Sequence, residues 1–451
     1  MFKKIEIWIL YLTLLIGVVL TIIFGHLVKK SLEHEDYSKR TFLQKVSIIL
    51  ASIPSNFQTI FLSVKEPGNE FIRQLDIKKD KLTKYKSIKR NEMLLLSRFN
   101  PEKNRSIVEI IDLNTFEVLH SYEPNINKIN SYTDTSREEF RNLLINNSPD
   151  RYYIWNPLID ENGNLFFNSY SPFVKIGFCS EIIWINDEDN FHHSSNFDNN
   201  KDIWVPSSIF PFQVDKKYVG ENFLYFKDDG ISKISRDGKI LLQKSVSQIF
   251  IENGYKHLLF GHEEFKGDPI HLNDIQPVLK DTKFFKEGDL FLSLRNLSYV
   301  ILYRPSTNKI IKIISGPFSN QHDVDIISDK EISIFNNNTI NGKNDRFVEV
   351  SNQVIIFDFE TNEFSYKFKQ QLENLNAETT SDGLSEILED GSLFVDLRNE
   401  GRLLMIDSSG DLEWEYYNLY EEKTYDIWWS RIIKDKKMIN SIYNKISNSK
   451  C

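Results

Sequence analysis

GDLFLSLRN at Gly288–Asn296 and GSLFVDLRN at Gly391–Asn399 are two copies of one unit, set far apart in the chain. In each, a Gly-containing turn leads into an apolar, β-rich run. A second pair of strands follows, SYVILYRPSTNKIIKII (Ser298–Ile314) after the first copy and GRLLMIDSSGDLEWEYYN (Gly401–Asn418) after the second. Apolar alternation broken by Asp, Asn, Ser and Gly reads as antiparallel strands joined by tight turns. Looser copies lie outward in both directions. They include MLLLSRFN with SIVEIIDLNTFEVLHSY (Met93–Asn100, Ser106–Tyr122), NGNLFFNSY with SEIIWIND (Asn162–Tyr170, Ser180–Asp187), KDIWVPSSI with ISKISRDGKILLQKSV (Lys201–Ile209, Ile231–Val246), and KEISIFNNN with VIIFDFETNEFSYKF (Lys330–Asn338, Val354–Phe368).

Six such units follow from about residue 92. One three- or four-stranded sheet cannot bury both of its faces, whereas sheets stacked radially share cores and leave only short edges. The expected fold is therefore all-β, a six-bladed β-propeller over residues 91–451. A pair of β-sandwiches would also supply short, evenly spaced strands, but has no need of a self-similar unit.

Composition sets outer limits. With 451 residues, 41% hydrophobic and 26% charged, the chain can bury a large core. Its net charge of −9 comes from interspersed residues, and no basic stripe exists to neutralise a phosphate backbone, so nucleic acid is not an expected partner. Cys179 and Cys451 form neither a disulfide framework nor a clustered thiolate site, which leaves the redox compartment open.

Before the repeats lies a different kind of sequence. Ile7–Phe24 carries no charge, and the run continues to Val28, long enough for a helix to span the ~30 Å of a bilayer core. Residues 1–30 are read as a transmembrane anchor with Trp8 and Tyr11 at one interface, the competing reading being a signal peptide whose A-x-A-like cleavage site is absent. Lys3 and Lys4 face Lys29, Lys30, Lys39 and Arg40 across the span, so charge does not fix its orientation. Residues 31–90 are expected to be a helical stem and linker. Phe42, Val46, Ile49 and Leu50 recur at helical spacing, Pro54 is expected to break the run, and Ile77–Arg90 reads as solvated.

The chemistry-bearing residues fall at equivalent places in the repeat. His193 precedes Ile203 and His322 precedes Ile332 by the same ten positions, and both isoleucines are taken as innermost-strand residues. His271 opens the corresponding segment of the intervening unit, Asn273 follows it, and Arg295 stands at the far end of that unit's first strand. Around a common axis these imidazoles, the guanidinium and the amide would meet at one channel mouth. Such a cluster supplies donors for an anion with several oxygens and an imidazole able to act as nucleophile or proton carrier. Each residue also has an ordinary reading. A lone His is more often structural, Arg295 has an ion pair with a nearby Asp as its alternative, and Arg398 stands at the matching place of another unit. His192, beside His193, is ambiguous because neighbouring strand positions face opposite ways. The rival chemistry is a metal held by the three histidines with Asp268, Asp274 or Asp323. No G-x-S-x-G elbow and no Gly-rich phosphate loop is present.

Four blocks in this order, DPIHLNDI (Asp268–Ile275), LSLRNLS (Leu292–Ser298), GPFSNQHDVDII (Gly316–Ile327) and ISIFNNN (Ile332–Asn338), resemble the signature blocks of the bacterial arylsulfotransferase family. A weaker likeness runs from His192 to Arg431 through GRLLMID, LEWEYYN and WWSRII. The resemblance implies a six-bladed propeller that moves a sulfuryl group from a phenolic sulfate ester to a phenol, with no nucleotide sulfate donor and no cofactor. It implies a transiently sulfated histidine at His322, sulfuryl-oxygen contacts from Arg295, and roles for His271, Asn273 and, upstream, His193. Phe335 is expected to hold the aromatic ring in the channel. The resemblance also places the bulk of the chain outside the cytoplasm. The alternative is a non-catalytic propeller that binds an anionic ligand, such as a sulfated glycan, or a partner protein at the same mouth.

Overall fold

The computed structural model describes residues 6–33, 41–65, 71–74, 77–140, 143, 147–220, 226–343, 345–449 and 451. The chain divides into two compact units, Met1–Asn69 and Glu70–Cys451.

The first unit is helical. Helix α1 (Ile7–Glu33) is long and apolar enough to cross a membrane, and Trp8, Leu12, Ile16, Leu20 and Ile23 all stand exposed on it. Lys3, Lys4, Lys39 and Arg40 lie outside the described residues. Helix α2 (Phe42–Lys65) packs against the end of α1, where the Ser31 hydroxyl donates to the Gln44 carbonyl at 2.9 Å. Pro54 does not break α2, which runs through it, contrary to the expectation from its ring.

The second unit is mostly β and propeller-like. Its main sheets, among the described residues, are six antiparallel sheets of four or five strands in chain order. The first comprises Met93–Asn100, Arg105–Asp112 and Val118–Tyr122, with the late strand Arg431–Ile433 added at its edge. The second runs from Trp155 to Asn186 and the third from Asn190 to Ser245. The fourth is Leu272–Pro277, Leu290–Leu294, Tyr299–Arg304 and Lys309–Ser315. The fifth is Val324–Ile326, Glu331–Asn336, Gln353–Asp358 and Glu363–Lys367. The sixth runs from Leu384 to Tyr417 and takes Leu82–Lys84 at its outer edge.

Burial explains the sequence pattern. Second strands such as Met93–Asn100, Leu290–Leu294 and Leu393–Leu397 are buried at every position, while the outermost Glu363–Lys367 is largely exposed. A strand buried on both faces needs a neighbouring sheet on each side, which a two-layer sandwich does not provide. The apolar clusters follow that arrangement. Leu95 and Val108 of the first sheet pack with Leu165 of the second, Phe166 with Val205 of the third, Trp204 with Leu292 of the fourth, Leu302 with Ile334 of the fifth, Phe335 with Leu393 of the sixth, and Phe394 with Leu94 of the first.

A parallel series of polar staples links the same sheets near their inner edges. Ser97 donates to Ile154 O (2.7 Å), Asn156 accepts from the Ser195 amide (2.9 Å), and Asp229 accepts from Leu272 (2.8 Å). Asp274 then accepts from Val324 (3.2 Å), Asp323 from Ser385 (3.1 Å), and Asp396 from Ser430 (2.8 Å), which leads into the late strand of the first sheet. Each staple satisfies a backbone carbonyl or amide that a sheet edge would otherwise leave bare.

Three expectations change here. Ile203 and Ile332 lie in second strands. The segments before them, Asn190–Phe191 with Asn196–Phe197 and Val324–Ile326, form the inner ones, because the lead-in itself pairs with the sheet. The linker shortens, since Ile72–Gln74 pairs with Lys423–Tyr425 and Leu82–Lys84 with the sixth sheet. Cys179 and Cys451 form a disulfide across 272 residues, a pairing invisible to spacing because the fold brings the chain's end back to the second sheet.

Candidate active site

The histidines arrive together because each sits at the same end of an inner strand. His193 lies between the two short pieces of the third sheet's inner strand, His271 immediately before Leu272–Pro277, and His322 just before Val324–Ile326. His193 and His271 share a left-handed backbone, φ +56° and +51°, the turn that swings each imidazole out of strand geometry. The His193 ring lies 5.3 Å from that of His271 and 6.1 Å from that of His322, centroid to centroid. The left-handed turn also resolves His192. It does not alternate away, and its Nδ1 lies 2.8 Å from Nδ1 of His193 while its Nε2 is 3.3 Å from an Asp229 oxygen.

Arg295 returns to the same end because its strand is antiparallel to that of His271. Leu294 pairs with Leu272, and the Arg295 amide donates to His271 O at 3.1 Å. Among the described residues its guanidinium has no carboxylate partner. Nη1 is 3.4 Å from Asn296 Oδ1, and the buried Nε has no acceptor. Burial lowers its pKa, against the charges of Asp382 and Asp268. Asn273 is fully buried. Its side-chain amide donates to Gln321 O at 3.0 Å and its backbone carbonyl accepts from the Ser194 amide at 3.3 Å, so it ties the three lead-ins together from beneath.

His322 is the most tightly defined member. Asn337 donates its amide hydrogens to Thr379 O (3.0 Å) and Asp382 O (2.8 Å), which turns its Oδ1 toward His322 Nδ1 at 2.6 Å. Nδ1 therefore carries the proton and Nε2 the lone pair, which accepts from the Asp382 amide at 2.9 Å. Burial, helped by the charge of Arg295 and opposed by that of Asp382, pushes His322 down to about 3, so the ring is neutral at physiological pH. His193 is likewise lowered, by burial first and then by its histidine and arginine neighbours. His271 differs, its Nδ1 meeting the Asp268 carboxylate at 2.6 Å. Burial favours the neutral acid at Asp268, but the His271 hydrogen bond and charge hold it at about 2.

Several residues of this region were not anticipated. Arg398, at the repeat position of Arg295, is buried and bonded to Asp382, and burial of its charge is outweighed by Asp382 and Asp426, which raise its pKa. Asp382 stays ionised through Arg398 despite its burial. Trp155 is parallel to His193 at 5.5 Å, and Tyr170 and Tyr153 extend the aromatic wall at 4.9 and 5.6 Å from Trp155. Phe335, by contrast, is fully buried between the fifth and sixth sheets and faces no channel. The repeat places Arg398 at the position matching Arg295 without assigning it to the site; nothing local could have found the tryptophan. The donor set nearest to metal spacing is His193, His322 and Asp382, whose ligand atoms lie within 4.8 Å of one another, rather than the aspartates expected beside the histidines.

These imidazoles and guanidiniums stand together on a mostly β, propeller-like scaffold. The chain belongs to the arylsulfotransferase (ASST) family, whose model matches residues 161–419. No curated protein matches the sequence significantly. Solved structures of loosely similar shape include a protein of unknown function from Bacteroides caccae (11% identity, 76% of this chain and 99% of that one, TM-score 0.46), a streptogramin B lyase (11%, 78% and 96%, 0.40) and the Pan2 WD40 domain of Neurospora crassa (10%, 73% and 84%, 0.37).

Proposed function

We propose that the second unit is a closed six-bladed propeller that transfers a sulfuryl group from an aryl sulfate ester to a phenol through a sulfohistidine at His322. The observation that carries this reading is the His322 tautomer: a neutral ring whose Nε2 lone pair is aimed away from Asn337, beside a guanidinium without a carboxylate. In the first half-reaction Nε2 attacks sulfur, the S–O(aryl) bond breaks, and the phenolate takes a proton from His271, which Asp268 keeps in position. In the second, His271 removes the acceptor's phenolic proton, the new oxygen attacks sulfur, and Nε2 leaves with its electron pair. The sulfuryl oxygens gather charge spread over three atoms, and Arg295 with the Asp382 amide, once released from Nε2, supplies the donors. His193 walls the site beside Trp155, and Asn273 holds the lead-ins in register.

Residues 1–30 serve in this reading as a single-pass anchor, and the sheets lie outside the cytoplasm. The Cys179–Cys451 disulfide supports that side, because such bonds persist in oxidising compartments. The test is turnover of 4-nitrophenyl sulfate with phenol by the full chain in detergent. We expect nitrophenol release and a peptide containing His322 with the mass of one added SO3. A His322→Ala variant as fast as the parent would remove the assignment. Saturable binding of aryl sulfates without turnover would favour the alternative, an anion-binding propeller.

A further inference from the structure

A short hairpin, Thr339–Asn341 paired with Arg346–Val348, is inserted between the second and third strands of the fifth sheet. It carries a third guanidinium to the site, beside Arg295 and Arg398. Arg346 Nη2 donates to Thr380 O at 2.5 Å, and the Thr339 hydroxyl donates to the same oxygen at 3.1 Å. Thr380 belongs to the segment whose Asp382 amide meets Nε2 of His322. Arg346 Nε, like Arg295 Nε, is buried without an acceptor.

The carboxylates nearby are already engaged. Asp382 is bonded to Arg398, Asp268 to His271, and Asp426 to Arg73. Of the described guanidiniums beside His322 this leaves Arg295 and Arg346 with no carboxylate partner. They feel each other: burial and then the charge of Arg295 lower Arg346 to about 10, against the pull of Asp382. Two repelling cations with orphaned donors are stabilised by a ligand that carries two negative groups, whereas a simple aryl sulfate brings one.

Resting on the sulfuryl-transfer reading of this site, we propose that Arg346 is a specificity residue that binds a second anionic substituent, a carboxylate or another sulfate, on the aryl substrate, while Arg295 serves the reacting sulfate. The natural substrates then belong to the class of acidic phenols and their sulfate esters.

The experiment compares 4-nitrophenyl sulfate with 3-carboxy-4-nitrophenyl sulfate as donors for the full chain, with phenol as acceptor. The kcat/KM ratio, carboxylated over plain, should favour the carboxylated ester. It should fall roughly 10-fold or more in Arg346→Ala, the scale of losing one charge-assisted hydrogen bond, and Arg346→Lys should restore part of it. Because each ratio is internal to one preparation, partial misfolding does not mimic the effect. A ratio near one in the parent, or one unchanged in Arg346→Ala, overturns the inference while leaving sulfuryl transfer intact. If neither ester turns over, the transfer reading fails, and calorimetric binding of the two esters still decides whether Arg346 selects the second charge.

Discussion

Two groups of polar residues grow from the same inner strands and behave in opposite ways. His271 and His322 stand just before the strands, and Asp274 and Asp325 lie a short step further along them. The histidine end is lined with bases kept neutral by burial, beside guanidiniums that lack counter-charges. The aspartate end surrounds a cavity of about 250 Å³ with Asp274, Asp323, Asp325 and Glu386 facing Arg431 and Lys434. There the acids are raised: burial pushes Asp274 up to about 6 and Asp325 to about 7. Trp429 adjoins both regions, 6.3 Å from His193 and 6.4 Å from His322 while lining the cavity. The aspartates spend their oxygens on backbone amides of the next sheet, so their burial serves the ring of sheets. At the histidine end Arg295 and Arg346 each keep a buried Nε without an acceptor and, among the described residues, meet no carboxylate, and cationic groups left uncommitted beside neutral bases mark a site for an anion.

The sharpest way to break this contrast is to substitute one residue from each end and measure both activity and stability. His322→Ala should lower kcat by at least ~10³-fold, the scale of losing a covalent nucleophile, with a comparatively small change in Tm. Asp323→Asn keeps an acceptor for the Ser385 amide, so it should leave kcat within a few-fold of the parent. If instead the Asp323 substitution abolished turnover and that of His322 did not, the two regions would have been assigned the wrong way round.

Arg295→Ala should come next, with kcat/KM reduced about 10²-fold, the usual cost of removing one donor aimed at transition-state charge. The loss should appear with every aryl sulfate, because Arg295 is assigned to the reacting group. A drop confined to KM, with kcat untouched, would reassign it to uniform substrate binding.

How much of this was legible in the sequence depends on the range of each signal. The repeat was legible because GDLFLSLRN and GSLFVDLRN occupy matching strands, Leu290–Leu294 and Leu393–Leu397, each followed by a short turn at the arginine. The convergence of His193, His271 and His322 followed from that repeat, although Ile203 and Ile332 were placed one strand too far inward. A short lead-in such as Val324–Ile326 gives too little alternation to announce a strand of its own. The disulfide joins residues far apart in the chain, the Trp155 wall meets His193 across two neighbouring sheets, and the Asp382–Arg398 pair closes the end of the sixth sheet, and residue spacing carries no trace of these contacts.

The smallest and most informative effect concerns pH. Asp274 is almost wholly buried and holds its proton up to about pH 6, while the unfolded chain releases it near 3.9. The folded state therefore binds more protons between those values, and the Asp274 contribution to stability is greatest at the acid end and lost as pH rises through 6. His322 runs the other way. Its folded pKa of about 3 lies below an unfolded value near 6.5, so its contribution is complete above 6.5 and fades as pH falls below it. The two ends of the inner strands thus oppose each other across pH 4–6, and Asp274→Asn removes one side of the balance. In that variant stability at pH 8 relative to pH 5 should rise by ~1.4 kcal/mol over the parent, the part of the Asp274 shift that lies between pH 5 and its folded pKa. Denaturant melts of the parent and variant at the two pH values read this directly. An unchanged slope would mean that Asp274 is already ionised at pH 5 and balanced by Arg431, and the aspartate end would then be an ion-pair network rather than a ring of protonated staples.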